Sequence, residues 1–390
     1  MIVVGILGDI GSGKSFVSKQ FKSLVFDADH EVSKIYSKDK LCYIKLRNSM
    51  PKYIKSFPIN KMELTKAILA NRNNLKKIVS IIHPLVRKKM IYFLKKNKFD
   101  AIHSVSPKAG LIGMLAGRFA LIPKRIHTFT GQVWATKKGF YRFVLKSIDR
   151  IIDNSATHIL VDGKSQLKFL FENNIATNKG KILGNGSIAG ISTKRFNPSI
   201  IERKKQRKKL KIPKGEWVFM FLGRLNKDKG VIDLIRAFCL IDQSKNNCSL
   251  YLVGNDEEKI KEKFNSYSNK IFFIGHEKFP EKLMQACDTF CLPSYREGFG
   301  ISIIEASSLK IPIICSNIYG LNETVIDGLT GMKHQVGNII KIKNKLEYAL
   351  LNPSIMKKMG DNGRKYVEKN FNEAALLSAW KDFYHKNLDS

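Results

Sequence analysis

Acidic side chains are scarce in this 390-residue chain: 33 Asp and Glu stand against 68 Lys and Arg, a formal net charge of +35. Phosphate-rich ligands, an anionic membrane surface and nucleic acid all fit such a field, and charge alone does not choose among them. The deficit is spread along the chain, with +14 of the total in residues 1–97. Long apolar runs are missing too. None approaches the 18 residues of a spanning helix. The first residues read as a strand, with no basic n-region ahead of an apolar stretch, so the expectation is a chain without a signal peptide, acting in the cytoplasm. Cysteine is sparse: six residues, none in C-x-x-C spacing. That argues against a zinc site or disulfide framework and for plain buried thiols. Low-complexity tracts and internal repeats are absent, and a composition of 44% hydrophobic and 26% charged residues is that of a globular protein, not a disordered, collagenous or coiled-coil one.

Short β-rich apolar runs alternate with helical patterns almost end to end. Strands are expected at Ile2–Leu7, Leu24–Asp27, Ala101–Val105, Arg125–Phe129, His158–Val161 and Lys181–Leu183. A second series falls at Trp217–Leu222, Ser249–Val253, Ile271–Ile274, Thr289–Leu292 and Ile311–Cys315. Alternation of this kind implies right-handed βαβ units and parallel sheets, here an α/β protein of two Rossmann-like, doubly wound domains. The break between them is expected within Pro198–Gly215, which holds the densest basic run, Arg203–Lys211. That run reads either as a solvated helix face or as a membrane- or phosphate-facing patch. The tail beyond about Ile340 reads as helices.

Gly8-Asp9-Ile10-Gly11-Ser12-Gly13-Lys14-Ser15 fits the phosphate-loop spacing G-x-x-x-x-G-K-S/T between a strand and a helix. Its glycines let backbone N–H groups wrap phosphates, Lys14 can reach the β- and γ-phosphates, and the Ser15 hydroxyl can ligate Mg²⁺. Phe26-Asp27-Ala28-Asp29-His30 follows the next strand, where a carboxylate can take a proton from an attacking hydroxyl or, for Asp29, cap a helix. With His83-Pro84-Leu85-Val86 these residues resemble dephospho-coenzyme A kinase over about Met1 to Asn97, roughly half that family's fold. The resemblance implies Asp27 as the catalytic aspartate, with ATP and Mg²⁺ as ligands of the loop. The family's lid helix and adenine-binding end have no counterpart, so phosphate binding without coenzyme A synthesis is the expectation.

From Phe99 the chain changes character. Ser104 to Gly110, including Ser106 and Lys108, forms a polar turn after a strand, and Thr128-Phe129-Thr130-Gly131 ends the next. Gly223-Arg224-Leu225, with Lys229-Gly230 beyond, puts two cations at a strand end, a fork and a point charge suited to a diphosphate. Glu297-Gly298-Phe299-Gly300-Ile301-Ser302-Ile303-Ile304-Glu305 spaces two glutamates eight apart across a helix start. Either glutamate alone reads as a solvated charge; together with Arg224 and Lys229 the set reads as a sugar-nucleotide site. G-R-L…K-G and E-G-F-G-x-S-x-x-E resemble the retaining family-four glycosyltransferases of the GT-B fold from about Phe99 onward. That resemblance implies a nucleotide-sugar donor held by Gly223, Arg224, Lys229, Glu297, Gly298, Phe299, Gly300 and Glu305, with Arg224, Lys229 and Glu297 at the reacting centre. It implies an acceptor side at Ser106, Lys108, Gly110 and Thr130, and transfer with no required cofactor or metal. A lipid-linked or glycan acceptor, peripheral contact with an anionic inner membrane face and no nucleic acid complete the expectation. Thr130 stands where many members have histidine, and His127 beside it reads as structural. The expected parts are a kinase-like segment at 1–97, the second half of an acceptor domain at 98–205 and a donor domain at 206–390. A bifunctional kinase fusion and a nucleotide-binding but inactive fusion are the alternative readings. The absence of a Gly/Ser/Pro spacer near Lys95–Lys98 predicts that the first segment completes the acceptor domain's sheet.

Overall fold

A computed structural model describes residues 4–7, 28–97, 99–242, 244–264 and 266–388. The expected phosphate loop Gly8–Ser15, Asp27 and the Leu24–Asp27 strand lie outside the described residues. The elements in chain order are β1 (Val4–Leu7), α1 (Ala28–Lys38), α2 (Lys40–Ser49), α3 (Lys61–Ala70), α4 (Arg72–Asn97), β2 (Ala101–Val105), α5 (Pro107–Phe119) and β3 (Lys124–Phe129). Then come α6 (Gly139–Ser155), β4 (His158–Val161), α7 (Lys164–Glu172), β5 (Gly180–Lys181), α8 (Ile200–Lys209), β6 (Trp217–Leu222), α9 (Val231–Cys239), β7 (Cys248–Val253), α10 (Ile260–Phe264) and β8 (Ile271–Gly275). The chain continues with α11 (Pro280–Leu283), β9 (Thr289–Leu292), α12 (Ile301–Ser308), β10 (Ile313–Ser316), β11 (Gly331–His334), α13 (Ile339–Leu351), α14 (Pro353–Asn370) and α15 (Glu373–Leu388). Among the described residues two sheets result, with strand orders β1-β2-β3-β4-β5 and β11-β10-β9-β6-β7-β8.

The chain divides into two compact units, one running to His127 and including 154–157, the other comprising 128–153 and 158–390. In the first unit β1 pairs in parallel with β2, Val4 opposite Ala101 and Leu7 opposite Ser104. The expected strand sharing across the Lys95–Lys98 join is therefore present. The helices between do something the sequence pattern did not foresee. Ile35, Cys42, Leu46, Ile54, Ala67, Ile78 and Ile82 from α1 to α4 bury one another in a core of their own. Two capping side chains start its helices: Asp39 Oδ1 accepts from Cys42 N and Asn60 Oδ1 from Met62 N.

In the second unit β6 to β11 pair in parallel throughout. Their residues Phe219, Phe221, Leu250, Leu252, Phe290, Cys291, Ile313 and Cys315 are buried, as both faces of a helix-covered parallel sheet require. β11 was not expected. Gly331–His334 is short and half polar, a weak strand signal, and it is held by its ladder to β10. The expected Lys181–Leu183 strand shrinks to Gly180–Lys181, because the chain turns at Gly184–Ser187. All six cysteines are unpaired thiols, five of them buried and Cys239 half-buried.

The basic helix α8 resolves in a mixed way. Arg203 and Arg207 both reach the Asp288 carboxylate, at 2.5 and 3.0 Å, and donate to the carbonyls of Gln285, Ala286, Cys287 and Glu216. They dock the helix. Lys204, Lys205, Lys208 and Lys209 are exposed.

Candidate donor site

The sequence-predicted donor residues gather at the C-terminal ends of β6 and β9, all within the second unit. β6 stops at Gly223, whose N–H still donates to Val253 O, and the chain then turns through Arg224 to Asn226. Asn226 Oδ1 accepts from Lys229 N at 3.1 Å and Asn226 Nδ2 donates to Glu257 at 2.7 Å, so one amide shapes the turn and ties it to the next strand's loop. Gly230 closes the turn at φ +68°, and a Cβ there would collide with the carbonyl oxygen of Pro293. This close approach delivers Lys229 to the β9 loop. Its Nζ meets Glu297 Oε1 at 2.5 Å, and Ser294 Oγ donates to the same oxygen at 2.7 Å. The ion pair is largely withdrawn from water, which strengthens it. Arg224 is exposed and lies 3.5 Å from Glu257.

Beyond Glu297 the backbone is pressed close. A Cβ on Gly298 would lie 2.7 Å from Asp162 Oδ2 and 2.8 Å from Gly131 N. Gly300 is the N-cap of α12, with left-handed backbone, so the helix's first N–H groups open beside the Glu297 turn. Phe299 contributes backbone only: its ring is buried and meets Phe371 edge-on at 5.2 Å. Glu305 lies on the second turn of α12, half-buried. Burial lifts its carboxyl to about 7; Arg195 draws it down and Glu281 pushes it up, those two pairing with each other at 2.9 Å.

Two of the site's neighbours escaped the sequence reading. Asp162 directly follows β4, buried, and burial pushes its carboxyl up to about 8. Oδ1 has no hydrogen-bond partner among the described residues. The strand-end rule that flagged Arg224 applied to Asp162 equally, but no motif surrounded it. Glu323, from the loop after β10, accepts from Ser165 N at 2.6 Å and Ser165 Oγ at 2.7 Å, a pairing 158 residues apart with no sequence signature.

The proposed acceptor-side residues divide. Thr130 is in the second unit, where its carbonyl accepts from Gln132 and Gln166 side chains at 2.6 and 2.5 Å, and Arg296 reaches the carbonyl of Gly131 at 3.4 Å. Ser106, Lys108 and Gly110 belong to the first unit. Ser106 precedes α5 at φ +80°, a costly backbone for a residue with a side chain, while Lys108 is exposed and Gly110 buried. His127 is fully buried in the same unit, its Nδ1 2.8 Å from Ser104 Oγ, and burial depresses its imidazole to about 3. It is a neutral core histidine.

Comparison with known proteins gives the family and the fold. The family model of the glycosyl transferases group 1 matches residues 202–366 and that of dephospho-CoA kinase residues 2–106. The HepE protein of Anabaena, solved in complex with UDP and glucose, shares the fold with a TM-score of 0.70 at 14% identity, over 98% of this chain and 100% of that one. The "UDP-Gal:alpha-D-GlcNAc-diphosphoundecaprenol alpha-1,3-galactosyltransferase" of Escherichia coli is 26% identical over 75% of this chain and 76% of its own. The capsular polysaccharide biosynthesis glycosyltransferase CapM of Staphylococcus aureus is 33% identical over 306 residues, 77% of this chain and 80% of that protein. Identity at that level over most of both chains makes this chain a member of the group 1 glycosyltransferases.

Proposed function

We propose that this enzyme moves a hexosyl unit from a nucleoside diphosphate sugar to a lipid-linked acceptor, with retention at the anomeric carbon, in surface polysaccharide or glycolipid synthesis. The observation that carries the reading is the junction of Lys229, Ser294 and Glu297 beside the α12 N-terminus, with Arg224 exposed at the same strand end. In this reading Arg224 and Lys229 bind the two phosphates, and the α12 N–H groups receive the charge that develops as the diphosphate leaves. Glu305 accepts from ribose hydroxyls. Glu297, once a phosphate draws Lys229 away, is released to hold sugar hydroxyls. Two cations and a helix end then do the electrostatic work for which other transferases use a divalent metal. Supporting the acceptor class are the printed names of the Staphylococcus and Escherichia relatives, one a capsular enzyme and the other acting on a diphosphoundecaprenol-linked sugar. The reading places the protein at the cytoplasmic face of a membrane, and divides it into a 1–97 kinase-like segment, a 98–205 acceptor part and a 206–390 donor part. The test is transfer from a panel of labelled nucleotide sugars to undecaprenyl diphosphate sugars, with the product anomer read by NMR. An inverted linkage, or no transfer with any donor, rejects it.

The dephospho-CoA kinase match favours a second activity or a second nucleotide site. In that reading Gly8, Gly11, Ser12 and Gly13 cradle phosphates, Lys14 and Ser15 hold the γ-phosphate and Mg²⁺, and Asp27 is the base. Incubation with ATP, Mg²⁺ and dephospho-coenzyme A decides it: coenzyme A that disappears in Lys14→Ala and Asp27→Asn establishes the kinase.

A further inference from the structure

A cavity of about 780 Å³ opens at the edge strand of the second unit's sheet, where β11, α13 and α14 meet, and none of the candidate donor residues lines it. Small-molecule sites span roughly 300–1,000 Å³. One wall is a face of α13. Lys341, Lys345 and Tyr348 all line the cavity, and at 100° per residue they fall within about 60° of arc. Among the described residues Lys341 and Lys345 form no ion pair, whereas Lys343, on another face of the helix, takes Glu347 at 2.9 Å. Lys333 of β11 adds a third ammonium, which donates to the side-chain and backbone oxygens of Asn322 at 3.2 and 3.4 Å. The one carboxylate of the lining, Asp327, accepts from Lys333 N at 2.8 Å. The wall is therefore built for an anion.

Two further features narrow the anion. Tyr348 stands about 10 Å along the helix axis from Lys341, toward the end where α14 begins, and Ile355 and Met359 of α14 line the cavity with it. An exposed ring beside aliphatic side chains is a platform for a flat, apolar group. His334 supplies the second feature. It lines the cavity at 4% exposure. Its Nδ1 lies 2.9 Å from Gln335 O, and a carbonyl only accepts, so Nδ1 carries the proton. Burial and the Lys345 charge hold the imidazole below the ordinary histidine pKa, against the pull of Gln335 O and Asp233. Nε2 is then a bare acceptor, and it has no hydrogen-bond partner among the described residues. A ligand hydroxyl is the group that satisfies it.

We propose that this cavity is a second ligand site, for a nucleoside monophosphate, with the phosphate on Lys341 and Lys345, a ribose hydroxyl on His334 Nε2 and the base against Tyr348. Anion, hydroxyl and flat ring in that order are what the cations, the bare acceptor and the aromatic platform call for together. The proposal does not rest on the transfer reaction. Calorimetric titration of the full chain with AMP, GMP, CMP and UMP tests it. A Lys14→Ala/Arg224→Ala/Lys229→Ala background silences the phosphate loop and the candidate donor site, and the cavity variants are also read by difference against the wild type. At least one of the four nucleotides should bind one-to-one in that background, about tenfold or more tighter than inorganic phosphate, and Lys341→Glu/Lys345→Glu and Tyr348→Ala should each weaken it about tenfold or more. Lys341 and Tyr348 are exposed and Lys345 is half-buried, so both cavity variants should keep the thermal midpoint and the nucleotide-sugar affinity of the wild type. Binding of none of the four, undiminished binding in either cavity variant, or inorganic phosphate binding as tightly as the nucleotides would each overturn the proposal. Nucleotide binding that disappears with Arg224→Ala/Lys229→Ala alone would assign it to the donor residues and overturn the proposal as well.

Discussion

The Lys229–Glu297 pair makes the sharpest statement about single residues. Lys229→Ala leaves Glu297 with Ser294 as its remaining partner and takes a cation from the strand end. A charged hydrogen bond of this kind contributes about 1.5–3 kcal/mol, so calorimetry should show nucleotide-sugar affinity falling roughly 10- to 100-fold, with Arg224→Ala in the same range; unaltered affinity in both would remove the diphosphate assignment. Protonation gives a second, independent handle. Burial raises Glu305 from 4.5 to about 7 and Asp162 from 3.8 to about 8. Each group holds its proton longer folded than unfolded, so stability falls as pH rises from near 4 toward 8. Glu305→Gln and Asp162→Asn should each flatten that slope, their melting temperatures gaining on the wild type between pH 5 and 8. A variant-minus-wild-type difference that falls as pH rises contradicts the raised carboxyls. If Glu305 receives a ribose hydroxyl as a carboxylate, donor binding near pH 6.5 should also release protons, visible as buffer-dependent binding enthalpy.

At the scale of elements, the candidate donor motifs were legible because their spacing is local. Glu297, Gly298, Gly300 and Glu305 sit on one loop–helix junction, so spacing alone carried them to the same place. Glu323 at Ser165 and Asp162 at Gly298 depend on chain paths more than a hundred residues long, and no window of sequence contains both partners. The same limit hid the private core of α1 to α4, which an alternating strand–helix reading merged into the sheet layer, and the docking of α8 through two arginines of a run that otherwise looks uniformly solvated. Gly230 links the legible to the hidden: its neighbour Lys229 belongs to a motif, yet the backbone it must pass is that of Pro293. Gly230→Ala should cost about 1–3 kcal/mol in denaturant unfolding for its left-handed backbone, and more for the collision. It should also weaken donor binding, because Lys229 moves with the turn. Asp288→Ala removes the carboxylate that Arg203 and Arg207 share and leaves them their carbonyl partners, and should cost about 1–3 kcal/mol.

At the scale of the whole molecule, the β1–β2 ladder makes the first segment part of a sheet. A chain beginning at Phe99 would present β2, every residue of it buried, as an open edge. Such a truncation should elute as aggregate in size-exclusion chromatography; a monodisperse fragment with full donor affinity would show that the two parts are separable. The buried cysteines have a different consequence, in time rather than in structure. Burial raises the Cys42 and Cys248 thiols to about 11 and Cys315 to about 12, and Cys287 and Cys291 are pushed up as well. A disulfide reagent attacks thiolate, so the native protein offers it almost nothing beyond the half-buried Cys239. Five silent thiols shared between the private helical core and the second sheet form a built-in clock. The delay before Cys42 reacts reports the opening of the first, the delay before the other four reports the opening of the second, and their ratio measures whether this protein comes apart in one step or two.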